Sequence, residues 1–255
     1  MSGWHDLAAE LACWQSAGRP ATLWWRDDDA TTPTPALARL LELASRHDVP
    51  LALAVIPDAA TPALAAAVDE LPWVTLLQHG CRHRNHAPAG EKKAEFGPHR
   101  PLPALLADLG AGQARLAELF GARPLPVFVP PWNRIAEQLV AALPPAGVRG
   151  LSRYRPRVAA RPVAGLVEAN CHVDPIDWRG DRGFAGEAAV LTALVDHLRA
   201  RRHGEVDAGE PTGLLTHHAD CDGDGWRFLE KLLDFLAKQD ACYWLSGADV
   251  FRLDA

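Results

Sequence analysis

Short apolar runs recurring between stretches of helical periodicity constrain this chain more than any other feature. Runs of strand length fall at 21–25, 51–56, 73–77, 125–129, 148–151, 165–173, 214–216 and 241–245. Helical patterns occupy 35–46, 61–70, 103–120, 133–142, 186–203 and 225–239 between them, and a short helix closes the chain. A further helix covers 4–18, where Leu7, Leu11 and Trp14 share one face and Gly18 ends it. Buried strands joined by helices must run parallel, because a tight hairpin can only reverse the chain. The pattern predicts an α/β fold whose seven or eight strand-helix units fit a closed barrel better than an open sheet, as a single domain over 1–255. No internal repeat or linker divides it.

Composition narrows the classes of function. With 26 basic against 32 acidic residues the net charge is -6, which argues against nucleic-acid and anionic-membrane partners. The arginine-rich piece 149–161 is the local exception and reads as a solvated loop. Five scattered cysteines without a Cys-x-x-Cys pair do not make a disulfide framework and suit a reducing compartment. The first residues lack the basic flank and apolar core of a signal peptide, and no run of about 18 apolar residues exists. The expectation is a soluble cytoplasmic protein, with homo-oligomerisation left open.

The polar residues fall in a telling place. Asp27 to Asp29, His79, Pro130 to Asn133, the group His172, Asp174 and Asp177, and His217-His218 all follow predicted strands. In parallel α/β folds that edge gathers loops from separate strands, and chemistry is assembled there. Three adjacent carboxylates repel one another, so they imply a neighbouring cation; the alternative is that Asp29 or Thr31 caps the helix near Pro35. His79 and His83 are four residues apart, a spacing that brings both imidazoles to one face of a helical turn. Two His and one Asp leave positions open on a zinc ion, the catalytic pattern; an exposed turn His plus a core His is the other reading. Of nine Trp, Trp25, Trp132 and Trp178 stand beside polar clusters and could offer flat faces to a sugar ring.

Taken in order, these segments resemble the motifs of the polysaccharide deacetylase superfamily, the carbohydrate esterases of family four, in a divergent branch whose first motif reads Arg-x-Asp-Asp. That motif is Arg26-Asp27-Asp28-Asp29, and His79 to His83 is the second. Phe128-Val129-Pro130-Pro131-Trp132-Asn133 matches the third, Asp174-Pro175-Ile176-Asp177-Trp178 approximates the fourth, and Leu215-Thr216-His217 is the fifth. The resemblance spans residues 22–218. It implies a distorted (β/α) barrel with about seven parallel strands, and metal-dependent hydrolysis of an N-acyl group, most often N-acetyl, from an amino sugar or related small molecule. Carried over residue by residue, Asp28 is the base, His217 the acid oriented by Asp177, and Asp29, His79 and His83 hold a divalent ion, zinc foremost. Trp132, Trp178, Asn133 and Arg26 fall around the substrate, with a backbone N–H of 131–133 assisting the oxyanion.

Two positions depart from the family pattern. Val129 stands where an Arg usually holds the catalytic Asp, for which Arg26 or Arg134 could substitute, and Ala30 replaces a Gly after the Asp pair. The missing Arg and the abundance of Trp sustain a second reading, a non-catalytic carbohydrate-binding or regulatory protein on the same fold. Other residues read as structural: Cys81 and Cys221 as inert thiols, Glu91 to Phe96 as a solvated charge run, and Asp222 as a helix cap instead of a calcium loop. His218 should point away from His217 on an extended backbone. His172 could approach the ligands or pack under Trp178.

Overall fold

The computed structural model describes residues 2–252. In chain order the elements are α1 (Trp4–Ser16), β1 (Ala21–Ala30), α2 (Pro35–Arg46), β2 (Leu51–Val55), α3 (Pro62–Val68), β3 (Val74–His79), α4 (Leu102–Phe120) and β4 (Pro124–Val129). There follow α5 (Glu137–Ala142), β5 (Gly150–Leu151), β6 (Val167–Glu168), α6 (Glu187–His203), β7 (Thr212–Thr216), α7 (Gly223–Leu236), β8 (Cys242–Trp244) and α8 (Gly247–Phe251). Every strand pair is parallel, in the order β6-β5-β4-β3-β2-β1-β7, with β8 beside the start of β1. Seven strands therefore curl into a distorted barrel wrapped by helices. Past β6 the chain swings back to β7, where Leu215 N–H donates to Val173 O at 2.8 Å and His172 N–H to Gly213 O at 2.7 Å. A side chain at Gly213 would meet Asn170 O at 2.5 Å, so only glycine lets the two backbones approach there.

Alternation along each strand separates two cores. On β2, Leu51, Leu53 and Val55 face outward to the helices, while Ala52 and Ala54 face the barrel interior. The small interior residues leave room for Trp24 and for Phe251 of α8, whose rings meet edge-on at 5.9 Å. Outside, α2 presents Leu37, Leu40, Leu43 and Ala44 at helical spacing. Full burial of each leucine contributes about 1.5–3 kcal/mol. Thr34, and neither Asp29 nor Thr31, caps this helix by accepting from Leu37 N–H at 3.0 Å. Asp222 caps α7 through Gly225 N–H at 2.7 Å, as its sequence suggests.

Three elements differ from the sequence expectation. β1 continues past Trp25 to Ala30, so the acidic triplet lies on a strand and not in a turn. The helix expected over 133–142 starts only at Glu137, because Trp132 and Asn133 hold left-handed backbones (φ 56° and 55°) in a short 3-10 turn. The strand expected over 165–173 keeps regular pairing only at Val167–Glu168 and continues as isolated bridges.

Candidate metal centre and cleft

Strand ends build the site, beginning with β1. Its pairing with β2 slips between Asp27 and Ala30, and Asp29 adopts φ 71°. Neighbouring side chains on a regular strand face opposite ways; this irregularity turns both Asp28 and Asp29 into one cleft. The left-handed residue is Asp29 itself, so Ala30 needs no glycine backbone. Asp27 points the other way, fully buried, with Oδ1 2.5 Å from His218 Nδ1. Its Oδ2 accepts from Thr216 Oγ1 at 2.6 Å and from His218 N–H at 3.0 Å. That pairing ties β1 to the end of β7 and leaves His217, the adjacent residue, facing the cleft. Burial raises the Asp27 carboxyl against the opposing charge of His218. Burial lowers the His218 imidazole, but Asp27 more than offsets this and holds it above its ordinary value.

Arg26 stands behind Asp28. The guanidinium is 0 % exposed, and its Nε and Nη2 donate to the two oxygens of Asp28 at 2.8 and 3.0 Å. It also donates to Ser152 Oγ at 2.6 Å and Asn133 Oδ1 at 3.0 Å. Burial opposes its charge, yet Asp28 keeps it firmly protonated. Arg26 thus supplies from β1 the partner that Val129 on β4 cannot, while Arg134 turns away to Lys93 O at 2.6 Å. The sequence reading set Arg26 and Asn133 against the substrate. Instead Arg26 is a buried support and the Asn133 side chain orients it. The Asn133 N–H is also committed, donating to Pro130 O at 2.9 Å, so it is not free for an oxyanion.

The two histidines do not ride on a helical turn as their spacing suggests. His79 ends β3, and a tight bend at Gly80 (φ 60°) brings His83 (φ 53°) back over it. Glu95 fastens this bend: its buried carboxylate accepts from Cys81 N–H at 3.1 Å and Arg82 N–H at 2.7 Å. The reading of 91–96 as a solvated charge run therefore fails at Glu95. Its apolar neighbours Ala94 and Phe96 were the available signal, since a carboxylate carried inward needs donors.

Asp29 Oδ1 lies 3.1 Å from His79 Nε2 and 3.4 Å from His83 Nε2, and these ligand atoms all fall within 4.8 Å of one another. His79 Nδ1 faces Val129 O at 3.1 Å, so its proton sits there and the Nε2 lone pair turns toward Asp29. Asp29 Oδ1 is buried and has no hydrogen-bond donor. Converging acceptors with no donor between them repel unless a cation fills the gap, and the tilt of 43° between the two rings lets their lone pairs converge. The donor set fits a divalent ion with coordination positions left open. Burial would raise the Asp29 carboxyl, but the neighbouring imidazoles of His79 and His83 hold it well below the usual range. Burial lowers the His79 imidazole, yet Asp28 and Asp29 raise it overall. His83 is lowered, chiefly by burial.

Across a cleft of about 510 Å³ stands His217. Trp178 packs edge-on against it at 4.7 Å, and Trp132 lies 4.3 Å from His83 on the other side. Trp25, by contrast, is core, its Nε1 donating to Thr216 Oγ1 at 2.9 Å. Asp177, expected to orient His217, accepts instead from Arg179 and Gly180 N–H at 3.1 and 3.0 Å in an exposed turn. The carboxylate that shares the cleft with His217 is Asp174, held by Trp178 Nε1 at 2.7 Å and Ile176 N–H at 3.0 Å. Burial raises its carboxyl, against the charge of His217. Both residues follow β6 within one motif, and only the turn geometry separates their roles. Burial pushes the Cys81 thiol up to about 11 and the Cys221 thiol up to about 12, which keeps both protonated, and neither belongs to the group of metal-binding donors.

His172 neither ligates beside Asp29 nor packs under Trp178. It stacks on His197 at 3.5 Å with 17° between the rings, near Glu210. His172, His197 and Glu210 make a second group of donors, but His172 Nδ1 accepts from Gly213 N–H at 2.9 Å, so its proton occupies Nε2. Parallel stacked rings cannot aim two lone pairs at one ion, and this group is a buried polar brace.

Comparison with solved structures settles the architecture. The chain superposes on a proposed polysaccharide deacetylase of Mycobacterium smegmatis with a TM-score of 0.62 at 18% identity, covering 92% of this chain and 90% of that one. The fold is that of the polysaccharide deacetylases. The peptidoglycan deacetylase PdaC of Bacillus subtilis shares the deacetylase fold at TM-score 0.56 and 16% identity, over 92% of each chain. A family 4 acetyl xylan esterase of Clostridium thermocellum, in complex with a cobalt ion, matches at 0.54 and 16%, over 91% of each. No protein-family model matches the sequence, and no curated protein matches it. Among the described residues no helix is long and apolar enough to cross a membrane.

Proposed function

We propose that this chain is a metal-dependent hydrolase that removes an N-acyl group, N-acetyl foremost, from an amino sugar or related small molecule. One observation carries the reading: the acceptors of Asp29, His79 and His83 converge without a donor, between a fixed carboxylate, Asp28, and a facing imidazole, His217. A divalent ion held by those three residues, zinc foremost, would polarise the acyl carbonyl and acidify a water. Asp28, clamped by both ends of Arg26, has the fixed geometry a general base needs to take that water's proton. His217 stands on the opposite wall as the proton donor to the departing nitrogen, with Asp174 in the same cleft. Trp132 and Trp178 offer apolar walls to a ring between them. Carbohydrate-acting proteins share the fold, which supports a sugar substrate. The unpaired cysteines fit a cytoplasmic location.

A non-catalytic, carbohydrate-binding role draws on Val129 and on the abundance of Trp; Arg26 at Asp28 answers the first, and the second suits either role. Release of acetate from N-acetylated amino sugars with zinc, cobalt, nickel or manganese tests the reading. His217→Gln should lower kcat by about 10²–10⁴-fold with substrate affinity retained. Tight sugar binding with no release under any metal would establish the binding role instead.

A further inference from the structure

The chain is acidic overall, yet the rim of its cleft is not. Lys93, Arg134, Arg155, Arg179 and Arg182 line it, against Asp28, Asp29, Asp174 and Asp220. The carboxylates are committed elsewhere: Asp28 to Arg26, Asp29 to the candidate metal centre with His79 and His83, Asp174 to Trp178 and Ile176, and Asp220 to Arg182 at 3.3 Å. Lys93, Arg134, Arg155 and Arg179 have no carboxylate within ion-pair distance among the described residues. Charges that serve only solubility scatter over a surface, whereas these crowd one concave site that already holds a candidate reaction centre.

The backbone adds an independent sign. Arg155 (φ 86°) and Arg182 (φ 65°) both hold left-handed conformations that cost a non-glycine residue about 1 kcal/mol or more. Arg155 is fixed there by its N–H donating to Cys171 O at 2.8 Å. Arg182 lies over the Trp178 ring at 5.0 Å, and Lys93 Nζ lies 6.0 Å from the Trp132 ring. Both pocket aromatics thus carry a cation over the ring. The strand order places the Arg155 loop, after β5, between the Trp132 loop after β4 and the Trp178 loop after β6. With Lys93 on the loop after β3, the cations follow the cleft around four consecutive loops.

We propose that the substrate is anionic: an N-acyl amino sugar bearing a phosphate or carboxylate group, gripped by Arg155 and Arg179 with Lys93, Arg134 and Arg182 around them. This rests on the hydrolase reading for the acyl group, but the anion grip is a binding property with its own readout. Guanidinium groups suit oxyanions because their donors pair with two oxygens at once.

Calorimetric titration of the intact protein with N-acetylglucosamine, its 1- and 6-phosphates, and N-acetylmuramic acid tests the inference. At least one anionic probe should bind about tenfold or more tighter than the neutral sugar, with the preference eroding as salt is raised. The phosphate and carboxylate arms identify the group. Arg155→Gln/Arg179→Gln, conservative at exposed positions, should bring the anionic probe to the affinity of the neutral one, while Arg46→Gln on α2 leaves the preference intact. Equal affinities, or no binding by any probe, overturn the proposal. Preference without acetate release keeps it and refutes the hydrolase reading; release with no preference does the reverse.

Discussion

Arg26→Met is the sharpest perturbation of the barrel interior. The wild-type guanidinium is sealed from solvent and makes paired contacts with Asp28, itself 2 % exposed, plus bonds to Ser152 and Asn133. Methionine matches the volume of the chain but leaves Asp28 charged, buried and unpartnered. Breaking a buried pair from one side costs about 3–5 kcal/mol, far more than the net worth of the pair itself. For a chain of this size that corresponds to a fall in Tm of about 6–20 °C. Asp28→Asn in the Arg26→Met background removes the stranded charge and should restore about 2 kcal/mol or more, a coupling that a double-mutant cycle in urea reads directly. Arg26→Lys keeps the charge but only one contact geometry, and should fall between. A loss below about 1 kcal/mol for Arg26→Met, or a double variant no more stable than the single, refutes the assignment of Arg26 as the support of Asp28.

Two further perturbations probe the surroundings. Gly80→Ala drives a Cβ to within 2.2 Å of Glu95 Oε2 and 2.4 Å of Pro131 Cγ at φ 60°, so the bend between the two histidines must open. Zinc affinity should fall about 10–100-fold, measured by competition with a chelating dye, and an unchanged affinity would show that the bend does not set the ligands. Burial pushes the Glu210 carboxyl up to about 7 from an ordinary 4.5, so the native state keeps a proton that the unfolded chain loses. Stability should therefore fall as pH rises from 4.5 to 7 by about 3 kcal/mol at most, then level off, and Glu210→Gln should flatten that slope. Parallel slopes for the two proteins in urea unfolding would contradict this.

The alternation of strands and helices was legible because burial on both faces leaves a continuous apolar run and a crossover leaves helical periodicity. The placing of Asp28, Asp29, His79, His83 and His217 at one edge followed from that alternation, and the structure brings all five to one cleft. Side-chain direction was not legible. In sequence Arg26 reads both as a substrate contact and, with Arg134, as a substitute partner for Asp28; only the pleat shows that it points inward beside Ser152 and takes the second role. Asp174 and Asp177 are indistinguishable in sequence, because a turn decides which carboxylate faces the cleft and which caps backbone N–H groups. Glu95 was hidden for a related reason: a charge in an irregular loop looks solvated until the bend it fastens is seen. β1 extends beyond its apolar part because pairing with β2 and β7 carries through Asp27 and resumes with β2 at Ala30, across the irregularity that turns Asp28 and Asp29 to the cleft.

Hydrolysis in this cleft requires that Asp29, His79 and His83 hold a divalent ion. Elemental analysis after zinc loading and gel filtration measures this directly in the wild type and in Asp29→Asn, His79→Gln and His83→Gln. Stoichiometric metal in the wild type and its loss in each folded variant is the expected result. Metal retained at full stoichiometry by the variants, or no metal taken up by the wild type, would contradict the assignment.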